Sequence, residues 1–147
     1  KRPQEKALVV FVSYDFLAIP PRYLTSDDRV VPQKFYKLWR RVFRLAKPLL
    51  KRTQNEIILP DVLPEEIVAE VQDRLYWSLA IVLVTFAATK TGEEIAVETQ
   101  IFPYAVQLRF SASLEKRINR LLQLILEPVG GRVEIDNEEV LLWLPRA

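Results

Sequence analysis

Residues 73–99 read DRLYWSLAIVLVTFAATKTGEEIAVET, and the fold turns on how this stretch is parsed. The run from Leu75 to Ala88 carries no charge, glycine or proline. A membrane span needs about 20 apolar residues. This run is shorter and is flanked by Asp73, Arg74 and Lys90, so it reads as a buried helix. Its apolar residues fall on all sides rather than on one stripe, which makes it the central core helix. Asp73 is the expected N-cap and Gly92 the expected stop. Beyond the glycine the period becomes two, and Ile95, Val97 and Thr99 line one face of a strand over 94–100.

Working outward, Pro32 is expected to open a helix running to about Lys51. Phe35, Leu38, Trp39, Val42, Phe43, Ala46, Leu49 and Leu50 recur there at steps of three and four, and Pro48 lies near the end. Residues 55–59 read as a short strand ended by Pro60, and a further segment begins at Pro64 and Glu65. Downstream, Val106, Leu108 and Phe110 alternate as in a strand. Ser113 is the expected cap of a helix over 114–127 that turns Ile118, Leu121, Leu122 and Ile125 inward and ends at Pro128. Gly130-Gly131 reads as a turn into a hairpin of residues 132–135 and 140–144 around Asp136-Asn137. Near the start, residues 7–14 (ALVVFVSY) read as a strand, Pro20-Pro21 breaks the chain, and residues 25–29 form a loop. The expected class is α+β, a two-layer sandwich of a mixed β-sheet with helices on one face. Residues 32–147 form the domain, and residues 1–31 an N-terminal strand and proline-containing extension packed with it.

Composition narrows the chemistry. Of 147 residues none is histidine or cysteine. That removes histidine general bases, imidazole and thiolate metal ligands, a phosphoaccepting histidine and disulfides. A reducing cytoplasm is the expected compartment. The first residue is Lys1 rather than Met, which reads as a piece of a longer chain. Only Gly92, Gly130 and Gly131 are glycines, and no phosphate-cradling glycine pattern occurs. The carboxylate pairs Glu65-Glu66, Glu93-Glu94 and Glu138-Glu139 read as solvated surface, because neighbours on a strand point to opposite faces. No catalytic residue, cofactor or metal ion is expected.

Three segments resemble the catalytic ATP-binding domain of sensor histidine kinases, of the superfamily shared with gyrase, Hsp90 and MutL (the Bergerat or GHKL fold). They are RVVPQKFYKLWRRVFRLAKPLLKRTQNEIILPDVLP (29–64), the opening stretch (73–99) and RINRLLQLILEPVGGRVEIDNEEVLLWLP (117–145). The resemblance implies that the 73–99 helix is the one that carries the family's magnesium-holding Asn-Ala pair. Here the equivalent pair is Phe86-Ala87, and a phenyl ring cannot ligate a hard cation. The family's adenine-binding aspartate would fall at Ala112-Ser113. Its ATP lid and glycine-rich helix start are replaced by Ser113 running straight into Leu114, Glu115 and Lys116. The resemblance therefore carries over the scaffold and not the activity.

Charge supplies the interaction candidates. Lys34, Lys37, Arg40, Arg41, Arg44, Lys47, Lys51 and Arg52 share one helical stretch without an acidic residue, although the net charge is only +2. This face fits an acidic protein surface or nucleic-acid phosphates, or it is a solvated outer face whose stems cover the core. Residues 61–98 are acidic, so the two regions either neutralise each other in space or serve association. Phe16, Leu17, Ile19 and Tyr23 between prolines are further candidate docking residues for a partner, or they pack over the domain's own open sheet edge. The expected role is a non-catalytic regulatory or scaffold domain in signalling that binds a kinase, response regulator or complex subunit. A nucleic-acid-associated protein using residues 34–52, and an assembly subunit of a larger complex, are the alternatives. No membrane span is expected.

Overall fold

The structure is a computed structural model that describes residues 30–147. The strand expected at residues 7–14, and Phe16, Leu17, Ile19 and Tyr23, lie outside the described residues. Among those described, strands β1 (Val31–Lys34), β2 (Glu56–Ile58), β3 (Ile67–Glu70), β4 (Glu94–Ile101), β5 (Ala105–Phe110), β6 (Arg132–Ile135) and β7 (Val140–Pro145) accompany helices α1 (Phe35–Arg52), α2 (Arg74–Thr89) and α3 (Lys116–Leu126).

Five strands form a mixed sheet in the order β2-β4-β5-β7-β6, with β2 parallel to β4 and the other pairs antiparallel. Parallel strands need a crossover, and α2 provides it between β2 and β4. The register sets Val97 opposite Phe110, Leu108 opposite Leu142, and Val133 also opposite Leu142, so one face is continuously apolar. The helices cover that face, while Glu98, Arg109, Arg132 and Glu134 stand on the other. This is the expected α+β sandwich with helices on one side. A small antiparallel pair, β1 with β3, lies beside it and joins the end of β7 through a bridge from Val68 to Arg146.

Several boundaries differ from the sequence reading. Pro32 sits inside β1, and α1 starts at Phe35, whose N–H donates to the Glu66 carbonyl at 2.9 Å. Pairing with β3 outweighs the preference of proline for a first helical turn. The segment after Pro64 becomes β3, a strand the sequence did not announce. Pro48 lies within α1 without ending it.

Neither expected cap operates. Gln72 and Asp73 both take left-handed backbone angles (φ 51° and 59°), turning the chain sharply between β3 and α2. Asp73 makes no capping bond. Instead Glu70 reaches over the helix start: Oε1 accepts N–H from Val71 (3.0 Å) and Leu75 (2.8 Å), and Oε2 from Tyr76 (2.9 Å). Ser113 does not cap α3 either, because its hydroxyl donates to the Asp136 carbonyl in the hairpin turn. The hairpin turn forms as read, with Asp136 Oδ1 accepting N–H from Glu138 (2.7 Å) and Glu139 (2.8 Å). Those two bonds hold the Asp136 carboxyl below the usual aspartate range.

Candidate functional site

Two places concentrate the residues singled out by the sequence: the contact of α2 with α3, and the outer flank of α1. In α2 every residue from Ser78 to Ala88 is buried. Phe86 is fully buried, with its ring 5.8 Å from that of Phe110 on β5. Ala112, Leu114, Ile118, Leu122 and Ile125 join the same cluster from β5 onward. Only residues 111–115 separate β5 from α3. Ser111 is anchored to β4 in both directions: its N–H donates to the Ala96 carbonyl (2.9 Å), and its hydroxyl accepts the Ala96 N–H (2.7 Å). Arg74 Nη1 donates to the carbonyls of Leu124 (3.2 Å) and Ile125 (2.8 Å), holding the start of α2 against the end of α3. A guanidinium there also meets the negative end of the α3 dipole.

Lys34 at the end of β1 and the α1 cations Lys37, Arg40, Arg41, Arg44, Lys47, Lys51 and Arg52 are all exposed. Within the helix they occupy a single arc, because Phe35, Leu38, Trp39, Val42, Ala46 and Leu50 take the opposite side into the core. Arg41 pairs with Asp73 at 3.2 Å, donates to Gln33 (2.9 Å) and covers the Tyr76 ring at 4.9 Å. Lys34 and Arg40 lie over Tyr36, at 5.8 and 5.5 Å. Lys37, Arg44, Lys47, Lys51 and Arg52 have no ion pair among the described residues. The basic and acidic regions thus meet at Arg41–Asp73, while most of the arc is without an ion pair among the described residues. Glu70 is withdrawn from the acidic region by its capping role.

The sequence reading did not single out Asn55. Its Nδ2 donates to Thr53 Oγ1 (2.8 Å) and the Lys90 carbonyl (2.8 Å), and its Oδ1 accepts the Glu93 N–H (3.1 Å). It ties the ends of α1 and α2 to the start of β4. Nothing in the local sequence separates this buried asparagine from a turn residue.

No protein-family model matches the chain, and no curated protein matches it. Solved structures do. The ATP-binding domain of PrrB from Mycobacterium tuberculosis matches with a TM-score of 0.65 and 13% identity, over 82% of this chain and 99% of that one. The catalytic domain of histidine kinase ThkA matches at 0.61 and 13%, over 80% and 95%. ThkA in complex with the response regulator TrrA matches at 0.63 and 15%, over 98% of this chain and 49% of that one. The fold is that of the histidine-kinase catalytic ATP-binding domain. At these identities the fold is what is shared. Within it, Phe86 and Ala87 stand on the helix to which the resemblance assigns the metal-binding pair, with both side chains in the core. Ala112 is buried where the adenine-binding aspartate would fall. No helix among the described residues is long and apolar enough to cross a membrane.

Proposed function

We propose that this domain keeps the histidine-kinase scaffold without nucleotide chemistry and acts in signalling by binding a protein partner. The observation that carries the reading is Phe86. The position that the resemblance assigns to a magnesium-holding asparagine is a fully buried phenyl ring packed on Phe110. A hard cation wants oxygen ligands, and this ring offers none. Two further features support the reading independently. The 111–115 connection leaves no length for a lid, and Ile118 and Leu122 pack α3 into the core shared with α2. The free cations of α1 supply a contact surface. The partner expected is a kinase, a response regulator or a subunit of the same assembly, met by the basic face in the cytoplasm.

Isothermal titration calorimetry with ATP and magnesium, at millimolar nucleotide, tests the proposal. The expected result is no saturable heat. Saturable binding of magnesium–ATP would overturn it and return the domain to the enzymes. If no heat is seen, charge reversal at Arg40, Arg41 and Arg44 followed by pull-down against candidate signalling partners tests the second half. Unchanged capture would remove α1 from the interface.

A further inference from the structure

Among the described residues the sheet ends at β2, and the flank of α1 lies beside that end. Glu56 donates its N–H to the Glu93 carbonyl at 2.8 Å, so its main chain is turned towards β4. Alternation along a strand then turns the N–H and C=O of Ile57 to the opposite, open edge. The side chain of Ile57 lies on the helix-facing side, in register with Ile95. Beside it is a surface depression with Phe43, Leu50 and Ile57 as its apolar part, Asn55 and Glu56 as its polar part, and Lys47 and Lys51 at its rim. Both lysines are exposed and make no ion pair among the described residues. Arg40 and Arg44 continue the same row at helical steps of three and four.

We infer that this edge and flank form a docking groove for an extended segment of a partner protein, added to β2 as a further strand. That segment carries apolar side chains and carboxylates on the face turned towards α1. The inference rests on the protein-binding role proposed above and names the chemistry of the partner. Strand addition satisfies the free Ile57 groups with main-chain hydrogen bonds, and pockets for alternate side chains give selectivity. The added strand continues the sheet beneath α1, bringing its inward side chains onto Phe43 and Leu50 and its carboxylates within reach of Lys47 and Lys51. Charge decides the sign of the partner, because the row Arg40, Arg44, Lys47 and Lys51 outweighs the single carboxylate of Glu56, and α1 holds no acidic residue. A nucleic acid would use the cations but neither the open main-chain edge nor the apolar depression.

The test is fluorescence anisotropy on the full chain with a labelled peptide of about eight residues, a strand's length, in which valine and glutamate take turns at every second position with threonine between them, so that both share one face. A valine–lysine peptide and a DNA duplex are the comparisons. The acidic peptide is expected to bind saturably in the micromolar range, at least about tenfold more tightly than the lysine peptide, with affinity falling as salt rises. Ile57→Pro removes the outward N–H while leaving the bonds to β4, and is expected to weaken binding about tenfold. The double variant Lys47→Glu/Lys51→Glu changes only exposed side chains, so it stays decisive if Ile57→Pro does not fold, and it is expected to weaken binding at least as much. Equal binding of both peptides, or unchanged binding in the double variant, overturns the groove. Binding of the duplex but not of the acidic peptide also overturns it, in favour of a nucleic-acid face. Binding of ATP in the calorimetric experiment sinks the non-catalytic reading by itself, so the two failures are told apart.

Discussion

The carboxylate of Glu70 accepts the N–H of Leu75 at 2.8 Å, so α2 is capped from the strand before it and not by the residue adjoining its first turn. Two consecutive left-handed residues make this geometry possible, and Asp73 is spent on the turn rather than on the cap. Removing a capping acceptor costs about 0.5–2 kcal/mol, and Glu70 serves three donors. Glu70→Ala is therefore expected to destabilise the domain by about 2–3 kcal/mol. Asp73→Asn tolerates the same left-handed angle and loses only an exposed ion pair, so it should cost less than about 0.5 kcal/mol. Urea denaturation of the two variants checks the ranking. An Asp73 effect as large as that of Glu70 would restore the sequence-based assignment.

Burial raises the Glu70 pKa above its ordinary value of 4.5, the three N–H donors partly oppose the rise, and the nearby Asp73 charge adds to it. A carboxyl whose folded pKa is raised keeps its proton longer in the native state than in the unfolded chain. The stability linked to that proton is present below pH 4.5 and is lost as pH climbs through the raised value. Glu70→Gln cannot titrate. The difference in stability between wild type and Glu70→Gln should consequently shift against the wild type as pH rises from about 4.5, and chemical denaturation across that range measures it. A difference that stays flat with pH contradicts the shift.

Phe86 is the residue on which the functional proposal and the core depend together. Replacing it with asparagine supplies the side chain expected of a nucleotide-binding relative, but at a position with no solvent and Phe110 in contact. The change removes a large buried ring and buries an amide, so a loss of about 3–5 kcal/mol is expected. No gain in ATP binding should accompany it. Thermal melting and calorimetry on Phe86→Asn read both quantities. Gain of magnesium-dependent ATP binding would mean that the scaffold lacks only this one group.

The sequence made the hydrophobic face of each element legible because periodicity is a local signal. Val106, Leu108 and Phe110 alternate, Ile118, Leu122 and Ile125 recur helically, and the structure buries all six. Boundaries set by distant partners were not legible. Pro32 reads as a helix start because nothing nearby reveals that β3 pairs with it, and β3 is too short for its alternation to show. Ser113 and Asp73 look like caps by residue type, yet each is used by a contact the local sequence does not encode. The eight cations were countable in advance. Their common exposure, and the placement of Lys47 and Lys51 beside an open strand edge, required the fold.

Asn55 shows the same dependence on distance. Its side chain bonds Lys90 and Glu93, more than thirty residues away, from a buried position. Asn55→Ala leaves the Lys90 carbonyl and the Glu93 N–H without this partner, and because both bonds are part-buried, water replaces part of what is lost, at about 0.5–1.5 kcal/mol each. A loss of about 1–3 kcal/mol by chemical denaturation is expected. Asn55→Asp should also be destabilising, since a carboxylate accepts where the Lys90 carbonyl needs a donor.

Gly130 and Gly131 together read as a turn in the sequence, but they are constrained in different ways. Gly130 has φ 86° with open space around its Cα, so a side chain there meets only backbone strain. Gly130→Ala should cost about 1 kcal/mol, and Gly130→Asn less, because asparagine tolerates the left-handed region. At Gly131 a Cβ would lie 2.9 Å from the Trp143 carbonyl oxygen and 3.1 Å from two carbons of Leu126. The oxygen belongs to β7, which is held between β5 and β6, so it cannot retreat without disturbing two ladders. Gly131→Ala is expected to cost about 1–3 kcal/mol through this overpacking, and Gly131→Asn should bring no relief. The pattern across the four variants, read by thermal melting, separates conformational strain at one glycine from close approach at the other. Rescue by asparagine at position 131 would mean that backbone angle, not the β7 carbonyl, selects the residue there.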